Sequence, residues 1–235
     1  MPSGKGSRAR TETGVAGLPH RLRLRRLTRE FYTRPTVVVA RELLGKYLVR
    51  KLGRTRLIGR IVEVEAYLGA RDPASHTFRG KTNRNAVMFN EGGFLYVYFT
   101  YGMHFCCNVV TEREGVGNAV LIRAVEPVAG NEVMARLRGA ARNGAAGKLR
   151  RLPKTLGTED LCSGPGKVCQ AFGIGRAENA TDLCGDRIWV GSALSDPFRF
   201  GIGVSTRIGV SLGKEHRRRF FIKGSAFVSR EKPVT

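Results

Sequence analysis

The chain has no run of about eighteen apolar residues, so no segment of it is long and apolar enough to span a bilayer as a helix. Its first twenty residues lack the apolar core of a secretory signal. The 5 cysteines, at positions 106, 107, 162, 169 and 184, include no C-x-x-C pair. An odd, unpaired set of this kind argues against a disulfide framework and a four-cysteine zinc centre. The five read as reduced, mostly packed thiols of a cytoplasmic protein, nucleoid-associated in a prokaryote or nuclear in a eukaryote. Neither H-x-E nor P-C-x-x-C occurs, which argues against zinc deaminase chemistry. Acidic residues are scarce too: 19 Asp+Glu stand against 41 Lys+Arg, a net charge of +22, and 31 of those cations are arginine. Arginine forks match phosphate geometry, so the expected partner is a polyanion. Nucleic acid fits better than a membrane surface, because no long basic amphipathic helix is present. A basic binding protein without catalysis is the competing reading.

With 235 residues and 42% hydrophobic content, the chain can build a sizeable core. Residues 1–26 read as a basic, disordered N-terminal tail ending in Arg21-Leu22-Arg23-Leu24-Arg25-Arg26. Residues 27–230 read as one mixed domain of helices and strands, and 231–235 as a C-terminal tail. Thr33-Arg34-Pro35 predicts a helix start with Thr33 as its cap, and Gly45 its end. Strands are expected over 46–52, 57–68, 94–100 and 104–111, and over 119–125 with Pro127 as the stop. A loop of roughly 69–93 separates the second and third of these, and loops so long are usually functional. Helical character returns over 130–138 and from Ser163, read as a cap, through Phe172. Residues 139–156 are Ala-, Gly- and Arg-rich and read as a flexible loop. Short strands are expected at 188–190, 207–210 and 220–222.

Period-two alternation puts Ile61, Glu63, Glu65 and Tyr67 on one strand face. A carboxylate on an apolar strand is costly unless it is paired or employed. For Glu63 a structural salt bridge is as good a reading as a chemical role, whereas Glu65, nearest the loop, reads as a general base activating water beside a sugar carbon. Tyr101 precedes Gly102 at a hairpin tip, where a core role is difficult. In so basic a chain it reads as a wedge that fills a vacated place in a base stack. Tyr67, His76 and Tyr98 could then hold the extruded base. Arg79, Lys81, Thr82, Arg84 and Asn85 mix donors and charge as phosphate contacts do, or form a solvated loop. Asn108 and Arg123 fall among apolar strand residues and either close a structural network or line a pocket. Gly164-Pro165-Gly166-Lys167 fails as a nucleotide-binding loop, because Val168 stands where Ser or Thr is needed. A helix start plus Lys167 could still hold one backbone phosphate.

At these positions the sequence resembles the alkyladenine (3-methyladenine) DNA glycosylase family. The likeness rests on Val64-Glu65-Ala66-Tyr67-Leu68-Gly69, His76, Thr82 with Arg84-Asn85, Met88-Phe89, Leu95-Tyr96-Val97-Tyr98 and Tyr101-Gly102-Met103. It continues through Cys106, Asn108, 121–127, 161–170, Arg207-Ile208-Gly209-Val210, Gly224-Ser225 and Val228-Ser229. The resemblance implies an α+β fold, a single domain with a curved, largely antiparallel β-core flanked by helices. It implies a monomeric, monofunctional repair hydrolase that flips alkylated or deaminated purines from double-stranded DNA and leaves an abasic site. No cofactor and no metal are expected. It also implies roles: Glu65 as general base with Arg123 helping to hold the water, and Tyr67, His76 and Tyr98 gripping the base. Asn108 would floor the pocket against the exocyclic amine of guanine. Tyr101 would be the wedge, and Thr82, Arg84, Met88, Met103 and Lys167 the DNA contacts. Two positions depart from the family pattern, Asn83 where proline is common and His104 where an aromatic ring stands in some relatives.

Overall fold

The computed structural model describes residues 22–143, 157–195 and 198–229. Its centre is β3 (Thr55–Tyr67), a 13-residue strand paired on one side with β2 (Tyr47–Leu52) and on the other with β6 (Asn118–Ala129). Beyond β6 come β5 (His104–Thr111), β4 (Phe94–Thr100) and the two-residue β7 (Thr181–Asp182). Beyond β2 come β8 (Ile188–Ala193) and β1 (Leu24–Arg26). A branch adds β9 (Ile202–Ser205) and β10 (Arg219–Ile222), with β10 pairing the functional end of β3. Every pairing is antiparallel, and the sheet curls into a half-barrel within one α+β domain, as expected. Among the described residues no helix is long and apolar enough to cross a membrane.

Apolar side chains explain why the layers adhere. α2 (Thr36–Leu43) sets Val39, Ala40 and Leu43 against the sheet. α5 (Pro165–Phe172) sets Val168, Cys169, Ala171 and Phe172 into the same cluster as Ile61, Val64, Ile122 and Val125. A large apolar side chain buried in this way contributes about 1.5–3 kcal/mol. At Gly59 a Cβ would come within 2.9 Å of Val125 and 3.1 Å of Phe172, so only glycine lets α5 lie this close to β3. Shorter helices, α1 (Arg29–Tyr32) and α4 (Thr158–Leu161), and the longer α3 (Asn131–Asn143) complete the chain.

Several sequence expectations change here. The basic stretch before Leu27 is not all tail: β1 pairs with β8, with Arg23 and Arg25 outward and Leu22 and Leu24 half-buried. That alternation was itself a strand signal. Thr33 does not cap α2; it ends α1, and the start of α2 is held by the distant Glu112. The Glu112 carboxylate accepts from the Thr36 backbone N–H (3.1 Å), the Thr36 hydroxyl (2.5 Å) and the Asn118 amide (2.8 Å). Ser163 is likewise no cap, since Gly164 precedes α5 and the Ser163 hydroxyl accepts a hydrogen bond from Lys167 Nζ at 2.9 Å. β6 runs through Pro127 to Ala129, because Pro127 opposes Gly59 at a register shift where no ladder N–H is demanded. Register shifts also flank Glu63, and Ile61 joins the main apolar cluster rather than the polar centre of its neighbours. Arg207–Val210 is not a strand but part of a loop between β9 and β10. The expectations for residues 1–21, 144–156 and 230–235 lie outside the described residues.

Candidate active site

Glu63 and Glu65 are both fully buried, and Arg123, facing them from β6, touches both. Arg123 Nε donates to Glu63 Oε1 at 2.9 Å, while its Nη1 lies 3.1 Å from Glu65 Oε1. Burial disfavours the arginine cation, but Glu65 and Glu63 together outweigh that and raise its pKa. Arg219, from β10, donates through Nε to Glu63 Oε1 at 2.7 Å. Two carboxylates therefore meet two guanidiniums, which keeps the buried charge balanced.

The two carboxylates are satisfied differently. An ionised carboxylate offers about four acceptor positions. Glu63 accepts from Arg123 Nε, Arg219 Nε and the Ser229 hydroxyl (2.7 Å) on Oε1 and from the Ser229 backbone N–H (2.6 Å) on Oε2, so most of its partners come from the C-terminal third. Glu65 accepts from the Ile208 N–H (2.8 Å to Oε1) and the Tyr67 hydroxyl (2.8 Å to Oε2), and the Arg123 ion pair adds a third partner at Oε1. One acceptor position is left, on Oε2. All three residues line a cavity of about 380 Å³, so Glu65 stands directly behind its wall.

The cavity is aromatic. His76 and Tyr98 meet edge to face with centroids 4.4 Å apart, and Tyr98 stacks on Tyr96 at 5.6 Å. His76 Nδ1 lies 3.0 Å from the Tyr96 hydroxyl. His76 and Tyr98 touch and form one wall, and Tyr67 lines the same cavity. Burial, then the charge of Glu65, pushes the Tyr67 phenol well above its usual range, so it remains a donor to Glu65. Burial raises Tyr98 as well and brings Tyr96 to about 12. His76 keeps an exposed edge, yet desolvation against the rings and then the nearby Arg84 charge lower its pKa, which favours neutral imidazole. Asn108 is buried at the cavity, its amide donating to the Tyr96 carbonyl at 3.2 Å.

Tyr101 sits at the β4–β5 hairpin tip, at the cavity rim. It is 78% exposed and holds a φ of +51°, a conformation costly for a bulky residue. Gly102 follows at +65° and Met103 is 58% exposed. The geometry thus presents two large apolar side chains outward. Thr82 and Arg84 are also exposed, on the loop beside His76. That loop is folded by Asn85, whose amide donates to the carbonyls of His76 (2.8 Å) and Gly80 (3.0 Å). Arg84 Nη2 donates to the Phe99 carbonyl at 3.2 Å and ties the loop to the hairpin strand. Lys167 is half-buried on α5, between Ser163 and Asp160. Met88, read as a DNA contact, is only 3% exposed and packs with Tyr96, Val110 and Ala119, so it lines the cavity instead.

Sequence reasoning missed the donors that arrive from the C-terminal third: the Ile208 amide, Arg219 and Ser229. Arg207 was missed as a support too. Its guanidinium lies 4.7 Å from the centre of the Tyr67 ring and grips buried Asp72 at 2.5 and 2.9 Å. The sequence signals were a buried-looking carboxylate pair in need of counter-charges and the place of Arg207-Ile208 and Ser229 in the family resemblance.

Residues 30–226 match the family model described as Methylpurine-DNA glycosylase. A protein of Alkaliphilus oremlandii named "Putative 3-methyladenine DNA glycosylase" is 43% identical over 210 residues, 88% of this chain and 100% of the relative. Relatives given the same name in Carboxydothermus hydrogenoformans (45% over 205 residues, 87% and 99%) and Methanocella arvoryzae (44% over 211 residues, 88% and 97%) are similar to it as well. The chain belongs to the methylpurine-DNA glycosylase family.

Proposed function

We propose that this protein is a monofunctional base-excision repair enzyme that hydrolyses the bond between deoxyribose and an alkylated or deaminated purine in double-stranded DNA. The observation that carries the reading is Glu65: a fully buried carboxylate held by the Tyr67 hydroxyl, the Ile208 N–H and an ion pair with Arg123, all from the cavity wall, with a position on Oε2 left for water. Tyr101 enters the duplex and fills the place of the extruded nucleotide. The purine lies against the wall made by His76 and Tyr98, with Tyr67 across from it, and Asn108 below disfavours the exocyclic amine of guanine. Met103, Thr82, Arg84 and Lys167 meet the surrounding strand, and Met88 shapes the pocket. The enzyme acts as a monomer.

The chemistry follows from charge. Alkylation at N3 or N7 makes the purine cationic, so the electrons of the breaking C1′–N9 bond neutralise it and it departs without needing a proton, whereas a neutral deaminated purine takes a proton from solvent as the bond breaks. Positive charge develops on the sugar as it leaves. Glu65, ionised beside Arg123, stabilises that charge and takes a proton from the water whose oxygen bonds to C1′. Among the described residues no lysine lines the cavity to form an imine with the sugar, and the product expected is an intact strand bearing an abasic site. The supporting result is release of free base from duplexes containing 7-methylguanine or hypoxanthine, with no borohydride-trapped adduct. Intact duplexes would refute the glycosylase reading in favour of a silent DNA-binding protein. A trapped adduct would refute monofunctionality.

A further inference from the structure

Glu63 is a buried carboxylate that the mechanism above does not use, and its surroundings are more elaborate than a counter-ion requires. We infer that Glu63 and Ser229 are positioning residues: they lock the Arg123 guanidinium so that Nη1 faces Glu65. The inference rests on the reading of Glu65 as the carboxylate that activates water. Arg123 spends Nε on Glu63 and Nη1 on Glu65, so its plane is fixed at two points. A third point comes from Ser229, whose hydroxyl accepts from Arg123 Nη2 at 3.4 Å while donating to Glu63 Oε1 at 2.7 Å. The Ser229 backbone N–H holds the other oxygen, Glu63 Oε2, at 2.6 Å. Arg219 closes the ring: Nε contacts Glu63 and Nη2 the Ser229 carbonyl at 3.4 Å.

Glu63 is held by Arg219 and Ser229, neither of which lines the cavity, and that separates it from Glu65 two residues on. Its work is directional. Without it, the Arg123 side chain keeps its charge but loses the anchor that aims it, and rotation about the last side-chain bonds would carry Nη1 away from Glu65. The segment after β10 thereby becomes part of the catalytic assembly, although it lines none of the cavity.

The Ser229 hydroxyl can be removed without stranding a buried charge, so Ser229→Ala is the primary test and Ser229→Thr its conservative control. Single-turnover excision of 7-methylguanine is measured beside the dissociation constant for a duplex carrying a pyrrolidine abasic-site analogue. The expectation for Ser229→Ala is an excision rate lowered about tenfold, the worth of one charge-assisted hydrogen bond, with binding and thermal midpoint little changed. Ser229→Thr should restore most of the rate. Glu63→Gln should lower it further, about a hundredfold. An unchanged rate in Ser229→Ala overturns the inference. So does a loss that threonine fails to restore, or one in which rate, affinity and thermal midpoint fall together as for a purely structural residue. A wild-type enzyme that excises nothing would instead sink the functional reading beneath it.

Discussion

Asp72 and Glu65 are both fully buried carboxylates facing arginine, and Tyr67 links them: Arg207 lies over its ring and its hydroxyl reaches Glu65. The Asp72 region is closed. Leu68 and Ala74 amides and two Arg207 nitrogens donate to it, and Arg218 adds an ion pair at 3.1 Å. The Glu65 region has one donor fewer than it could take and lies behind an open cavity. A buried ion pair therefore does not by itself mark a catalytic centre. A buried carboxylate whose partners all line a cavity is the better candidate.

Exchanging the two carboxylates for amides should pull these roles apart. Glu65→Gln is expected to lower single-turnover excision by about a thousandfold, within the usual range for general-base removal, while leaving binding of a neutral tetrahydrofuran abasic analogue nearly intact and costing less stability than loss of Asp72, since Arg123 keeps Glu63. Asp72→Asn should do the reverse. It leaves Arg207 and Arg218 buried against a neutral group, and a stability loss of about 3–5 kcal/mol is expected from chemical denaturation. Comparable loss of stability in both variants would dissolve the distinction.

Acid provides a second handle on Asp72. Burial alone would raise its pKa, but the Arg207 hydrogen bonds and the Leu68 amide outweigh that and hold it below 3.8. A carboxyl with a depressed folded-state pKa contributes stability above its unfolded value, and that contribution is lost as pH falls through the folded value. Acid unfolding followed by circular dichroism should show this loss below about pH 4, and Asp72→Asn should lack it. An identical acid dependence in both proteins would contradict the assignment.

Smaller effects are expected at the mouth. Tyr101→Ser should weaken binding to a damaged duplex by about 1–3 kcal/mol, the range for an aromatic side chain stacked in nucleic acid, without lowering the melting midpoint. Smallest is the effect of His76. Its lowered pKa keeps it neutral until the pH drops below the ordinary 6.5. Once charged it opposes a cationic purine, so affinity for 7-methylguanine duplex should fall about fivefold in acid, while hypoxanthine duplex is spared. Parallel decline of the two substrates would implicate another group.

How much of this was legible in the sequence depended on distance along the chain. The hairpin could be read because its cues are local: β4 and β5 fall at 94–100 and 104–111, where aromatic alternation and Tyr101-Gly102 placed them. Glu65, Tyr67, His76, Tyr98, Asn108 and Arg123 come together on one cavity or just behind its wall. What failed was nonlocal. Glu112 caps a helix 76 residues away, and no pattern around Thr33 could reveal that its own capping was unnecessary. The segment 207–210 alternates like a strand but is spent on loop contacts, Arg207 with Asp72 and Ile208 with Glu65. Met88 looked available on a long loop, yet a single 3₁₀ turn folds it into the small core under Tyr96.

The most direct test is a crystal structure of the protein with a duplex bearing a pyrrolidine abasic-site analogue, whose ring nitrogen stands for the cationic sugar carbon. The account predicts an ordered water between Glu65 Oε2 and that ring, with Tyr101 filling the gap in the stack. A Glu65 carboxylate sealed from the ring, with another group holding the water, would contradict it.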